Sequence, residues 1–250
     1  MQSKKDLYQI GEVARLFHLS ISLLRHYDKT GLVTPEYTDP DTGYRYYSIR
    51  QFECLNTIRY LRALDMPLEE IGDFLHNRDT GRIQGALSAH PGEIFLEKKA
   101  PLKLACMKKQ LNPENYLDLE YSIREMEQGN SPASIFLGKV GVGLFYESLK
   151  AHRFKPYDFI FIILEEDDPI KGQVIHIPEI TWAVIRFHGS HEQAPGFYEK
   201  LLTYFKDEGL APKSFALEMT LIDYGLTHDQ SQFITEIQIP LNPDCPGIIA

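Results

Sequence analysis

Glu218 is a carboxylate placed where burial is costly. In Ala216-Leu217-Glu218-Met219-Thr220-Leu221-Ile222-Asp223-Tyr224 it interrupts an otherwise apolar run of strand character. A buried carboxylate without a partner is unfavourable, so it either shifts its pKa or holds a partner. Alternation puts Glu218 on one face with Ala216, Thr220 and Ile222. Two readings stay open: a charge at the floor of a pocket, or a solvent-facing glutamate on the outer face of a sheet. Aromatic faces attract cations, most strongly when desolvated. Tyr146, Phe161, Trp182, Tyr224 and Phe233 are therefore the candidate lining of a pocket around Glu218. Glu236 also falls in a strand, but Gln232 and Gln238 share its face, and it reads as exposed.

A second chemistry, the gripping of phosphates, is readable between Leu19 and Ser48. Ser20 can cap a helix, because its hydroxyl satisfies free backbone N–H groups. Leu23, Leu24 and Tyr27 recur at helical spacing and face a core, which leaves Ser22, Arg25, His26 and Lys29 for another surface. Gly31 is placed to end the helix. Asp41-Thr42-Gly43 signals a turn, and Tyr44, Arg45, Tyr46 and Tyr47 follow it. Arginine and tyrosine on an exposed loop suit contact with a nucleic-acid backbone. Arg25 is the leading single DNA contact; the competing reading is an ion pair with Asp28.

The elements that position these groups differ along the chain. Ile10, Val13, Ala14 and Phe17 make a helical stripe that, with the helix after Ser20, forms a helix-turn-helix. Helices are expected from Ile49 to Leu64 and after Pro67. From Pro91-Gly92 the spacing of Ile94, Lys98, Leu102, Ala105 and Leu111 predicts a helix, broken or kinked at Pro101. Asn112-Pro113-Glu114 then reads as a fresh helix start. Strands are expected at Ile135–Leu137, Val140–Phe145, Phe159–Leu164, Val174–Ile177, Trp182–Phe187, Phe215–Ile222 and Phe233–Ile239, with one helix from Pro195 to Glu208. That pattern is an antiparallel α+β domain.

Bulk properties narrow the classes. No apolar run approaches the roughly 18–20 residues of a membrane span, and the start of the chain lacks the apolar core of a secretory signal. The three cysteines, Cys54, Cys106 and Cys245, lack the close spacing of a zinc site, and a reduced cytoplasm is the simple setting. No nucleophile–base pair is readable around His176, His188, His191 or His228, so no catalytic residue, metal or cofactor is assigned. The net charge of −9 is unevenly spread: residues 1–78 carry 10 Lys/Arg against 11 Asp/Glu, and residues 131–250 carry 9 against 16. A near-neutral first segment must gather its basic residues on one face to hold DNA, with affinity that falls steeply with salt.

Residues 8–75 resemble the DNA-binding domain of the MerR family. The resemblance rests on Tyr8-Gln9-Ile10-Gly11-Glu12-Val13-Ala14, Leu24-Arg25-His26-Tyr27-Asp28, Gly31-Leu32, Gly43-Tyr44-Arg45-Tyr46-Tyr47 and Met66-Pro67-Leu68-Glu69-Glu70-Ile71, in order and at these spacings. The remainder resembles the GyrI-like effector domain of the multidrug-responsive, BmrR-like branch, best from Ile175 to Leu241. The resemblance implies a multi-domain protein. An all-α winged helix-turn-helix DNA-binding domain spans 1–78, a helical dimerisation linker 79–130, and an antiparallel α+β GyrI-like domain 131–250. It implies a cytoplasmic homodimer that binds double-stranded promoter DNA with RNA polymerase, and acts as an activator by distorting the promoter when a lipophilic or cationic effector arrives. It places Ser20, Ser22, Arg25, His26, Tyr27, Lys29, Tyr44, Arg45 and Tyr46 at DNA. It places Glu218 against the effector's positive charge, with phenylalanine at 233 where the pattern suggests tyrosine. Histidine stands at 26 where close relatives usually have tyrosine. The alternatives are a metal-responsive regulator, whose cysteine arrangement is missing, and a GyrI-like domain with hydrolytic activity.

Overall fold

The computed structural model describes residues 7–63, 66–76, 91–111, 116–127, 140–164, 174–210, 212, 214–224, 227 and 229–241. These form two compact units: the residues up to 78 with Tyr224 and Thr227, and the remainder. The expectations at residues 79–90, Asn112-Pro113-Glu114, Ile135–Leu137, His228 and Cys245 lie outside the described residues.

In the first unit, α1 (Ile10–Leu16) opens with a reciprocal cap in which the Gln9 N–H donates to Glu12 Oε2 at 2.7 Å. Helix α2 (Ile21–Lys29) begins on Ser20, whose hydroxyl accepts from the Leu23 N–H at 3.1 Å. It ends in a Schellman closure around Gly31 at φ +72°: Leu32 N–H donates to Tyr27 O at 2.8 Å and Gly31 N–H to Asp28 O at 3.1 Å. Three short strands, β1 (Tyr8–Gln9), β2 (Tyr37–Thr38) and β3 (Arg45–Tyr47), form an antiparallel sheet in the order β1-β3-β2. The Asp39 carboxylate holds the β2–β3 turn by accepting from the N–H groups of Asp41 and Thr42, both at 2.9 Å. Helices α3 (Ile49–Ala63) and α4 (Leu68–His76) complete the unit, with Phe52, Leu55, Ile58 and Ile71 fully buried.

The second unit corrects the sequence reading. Residues expected as helix after Pro91 are two strands, β4 (Ile94–Lys99) and β5 (Leu102–Leu111). Pro101 breaks an extended chain, not a helix. They join β6 (Val140–Leu144), β7 (Tyr157–Leu164), β8 (Val174–Ile177), β9 (Ile180–His188), β10 (Ala216–Ile222) and β11 (Ile234–Pro240) in an antiparallel sheet. Its order is β4-β9-β11-β10-β6-β7-β5-β8.

The register explains how β4 and β5 lie far apart in that order while only two residues separate them in sequence. Lys99 pairs with Ile180 and Leu102 with Ile177, so β4–β5 and β8–β9 are one ribbon in one register. At its bend Pro101 stands opposite Pro178. Neither can donate a ladder hydrogen bond, so pairing lapses there and resumes beyond. Consecutive Cα atoms are ~3.8 Å apart, so Lys99 and Leu102 cannot be separated by more than about 11 Å. The sheet must therefore roll until its two sides meet.

Rolling gives the sheet two different faces. Helices α5 (Tyr116–Glu127), α6 (Tyr146–Lys150) and α7 (Ala194–Asp207) cover one, burying Leu149, Tyr198, Leu201 and Phe205 against Val142, Ile160, Ile185 and Ile237. The other face is enclosed by the sheet itself, around Phe159, Phe161, Trp182, Val184, Phe215 and Leu217.

Candidate functional site

Register decides where Glu218 points. Glu218 pairs with Ile237 on β11 and with Val142 on β6, and both belong to the helix-covered face. The solvent-facing reading is excluded, because Glu218 is 0% exposed. The Tyr157 hydroxyl, at the start of β7, donates to Oε1 and Oε2, each at 2.8 Å. His191 Nδ1 donates to Oε1 at 2.6 Å. His191 sits in the turn before α7, with Nε2 3.5 Å from Thr220 Oγ1. Tyr198, on α7, is fully buried, and its hydroxyl lies beside the Glu218 carboxylate, short of a full hydrogen bond. Burial raises the pKa of Tyr157 and of Tyr198, and the Glu218 charge raises both further. Both phenols therefore remain protonated donors. Among the described residues, no Lys or Arg pairs with Glu218. The arrangement is a buried carboxylate held by a phenol and an imidazole.

Of the expected lining, the structure brings little to Glu218. Phe161 and Trp182 are fully buried on the enclosed face of the sheet. Their parity is opposite to that of Ile160 and Ala183, which lie on the helix-covered face. Tyr146 is half-buried on α6, with Lys150 Nζ 5.9 Å from its ring centre. Tyr224 is buried and groups with the first unit. Phe233 is buried, and its carbonyl accepts from the Gly189 N–H at 3.0 Å, two residues before His191. Tyr157, His191 and Tyr198 were not read as site residues from sequence. A lone tyrosine at a strand start, a histidine in a turn and a tyrosine on an amphipathic helix carry no local signal that joins them to residue 218.

Glu236 reverses its expectation too. It is 2% exposed on the enclosed face, and accepts from Lys99 Nζ and Arg186 Nε, both at 2.7 Å. Gln238 is buried on the same face. A cavity of about 630 Å3 opens at the ribbon bend, lined by Pro101, Leu102, Lys103, Leu164, His176, Ile177 and Pro178, and contains none of the Glu218 partners.

In the first unit, Ser20, Ser22, Arg25, His26 and Lys29 are exposed around α2. Tyr27, expected at DNA, is 4% exposed, because three residues after Leu24 it shares that residue's buried side of the helix. Burial raises its pKa. Asp28 pairs with Arg45, Nε to Oδ2 at 2.7 Å, which fastens the sheet to α2. Arg25 has no ion pair among the described residues, so the competing reading of an Arg25–Asp28 bridge is replaced. Tyr44 is 57% exposed at the turn, and Arg45 and Tyr46 are half-buried beside it.

Among the described residues, no three His, Cys, Asp or Glu side chains come together to hold a metal; Cys106 is a free thiol, and the Cys54 thiol donates to Leu32 O at 3.7 Å. Burial pushes the Cys106 thiol up to about 12. No helix of the described residues is long and apolar enough to cross a membrane.

Comparison with known proteins matches residues 8–78 to the MerR HTH family regulatory proteins, and residues 92–242 to the GyrI-like small molecule binding domain. The second match starts just before β4, as the sheet does. The chain is 48% identical to the multidrug-efflux transporter 1 regulator of Bacillus subtilis, over 94% of this chain and 98% of that protein. It is 53% identical to the transcriptional regulator BrlR of Pseudomonas aeruginosa over 25% of this chain and 23% of that protein. It is 34% identical to the multidrug-efflux transporter 2 regulator of Bacillus subtilis over 36% of this chain and 33% of that one.

Proposed function

Starting from a chain that belongs to the MerR family of ligand-responsive transcriptional regulators, with a GyrI-like effector domain, we propose that Glu218 receives the positive charge of a lipophilic effector. One observation carries this reading: a carboxylate 0% exposed, in a sheet core, with no Lys or Arg beside it among the described residues. Its two donors satisfy hydrogen bonding without supplying the fixed full charge that a lysine or arginine would. A desolvated cation is the ligand such a group binds best.

In the same reading the first unit is a winged helix-turn-helix. Helix α2 enters the major groove with Ser20, Ser22, Arg25, His26 and Lys29, and the β2–β3 turn presents Tyr44, Arg45 and Tyr46 to the backbone. Tyr27 holds α2 from the core side. Two copies read a two-fold promoter site in the cytoplasm alongside RNA polymerase. Effector binding shifts the dimer toward a state that distorts the duplex, at a deformation cost of a few kcal/mol.

The test is calorimetric titration of lipophilic cations and their neutral analogues into wild type and Glu218→Gln. The substitution keeps size and removes charge. Cations should bind wild type and weaken by about 2 kcal/mol, roughly thirtyfold, in the variant, while neutral analogues stay unmoved. Equal binding of cations to both proteins sinks the assignment of Glu218.

A further inference from the structure

The Glu218 carboxylate has two donors from different kinds of element. Tyr157 belongs to β7 and pairs with Leu111 in the sheet, so its hydroxyl is fixed by the ladder. His191 belongs to no strand or helix. It lies in the turn Ser190–Gln193, between the end of β9 at His188 and the start of α7 at Ala194. Gly189, at φ +126°, adjoins that turn, and a Cβ there would meet Gln193 Oε1 at 2.6 Å. The positive φ favours glycine at this joint, and the His191 turn stands outside the ladder that holds β7.

We infer that His191 is a built-in competitor for Glu218, which an effector cation must displace to reach the carboxylate. The inference rests on the reading of Glu218 as the effector's charge partner. Oε1 is occupied by His191 Nδ1 at 2.6 Å, so a cation and the imidazole cannot both sit there. Departure of His191 alone would strip a donor from a wholly buried carboxylate. Departure and arrival are therefore coupled as an exchange. The polar groups facing the exchange are known: Tyr157 from β7, Tyr198 from α7 and Thr220 from β10. The Tyr198 hydroxyl is buried beside Glu218, short of a full hydrogen bond, and is a second phenol that can close on the carboxylate when the site rearranges. His191 thus sets the threshold affinity: only cations that out-compete its hydrogen bond are sensed.

The experiment titrates tetraphenylphosphonium into the full chain as wild type, His191→Ala, Glu218→Gln and the double variant. Removing the competitor tightens binding by about tenfold or more, since a hydrogen bond to a charged group is no longer broken. Glu218→Gln weakens binding, and the gain from His191→Ala vanishes on that background. Binding that needs Glu218 but is unchanged or weakened by His191→Ala overturns this inference alone. No binding to any protein, or binding indifferent to Glu218, overturns the effector reading and this inference with it. A second measurement avoids any folding defect in the variant. In wild type, the His191 Nδ1–H signal, followed by imidazole 15N-edited NMR, should disappear from its hydrogen-bonded position at saturating tetraphenylphosphonium. Its persistence at saturation overturns the inference.

Discussion

Glu218 and Glu236 stand on neighbouring strands, one rung apart in the same ladder: Glu218 opposite Ile237, Met219 opposite Glu236. Each is almost wholly buried, and they point to opposite faces of the sheet. Glu236 is clamped by two permanent cations, Lys99 and Arg186, which also reach Glu97 at 3.5 and 3.4 Å. Glu218 has a phenol and an imidazole. The difference separates a structural charge from a receptive one. A carboxylate already neutralised by lysine and arginine has little to gain from a visiting cation, whereas one held by weaker donors keeps most of its attraction in reserve.

The comparison can be broken first on the enclosed face. Trp182→Ala should cost about 4 kcal/mol of stability by denaturant titration, because it empties a fully buried site, yet leave Glu218-dependent cation affinity unchanged. A selective loss of cation binding at intact stability would return Trp182 to the pocket. Glu236→Ala should cost about 3 kcal/mol, the low end for a broken buried pair because Lys99 and Arg186 retain some access to water. Its thermal midpoint should fall while tetraphenylphosphonium affinity holds; a parallel drop in affinity would show that the two glutamates act as one site. The smallest effect has the opposite sign. Tyr198→Phe removes a buried hydroxyl whose contact with Glu218 falls short of a full hydrogen bond, and should raise stability by up to about 1 kcal/mol. A loss of stability would mean that the hydroxyl is already bonded within the Glu218 cluster.

Legibility followed the range of the interaction. In the first unit Ser20, Gly31 and the Asp39 turn act on residues within five positions, and their signals could be read directly. The partner of Asp28 could not, since Arg45 lies 17 residues away. In the second unit most strands showed as apolar runs, but in β4 and β5 Ile94, Lys98, Leu102, Ala105 and Leu111 fall at spacings that also fit a helix, and Pro91-Gly92 resembles a helix start. Glu218 was found because its own neighbours made it anomalous. Its partners come from 61 and 27 residues away, and only the three-dimensional register joins them. The same register would have removed Trp182 and Phe161 from the lining, since parity along a strand is fixed once one pairing is known.

The ribbon with facing prolines has a consequence for synthesis. Strands β4 and β5 leave the ribosome well before β8 and β9, the partners their register requires. Translation from Ala105 to Val174 takes on the order of ten seconds at cellular elongation rates. For that interval two extended segments have unpaired edges in a crowded cell, the condition in which strands recruit foreign chains. Lys98, Lys99, Lys103, Lys108 and Lys109 are spread along both. Lysine on an exposed edge is a gatekeeper against such recruitment, so these five side chains guard the segments until the ribbon closes.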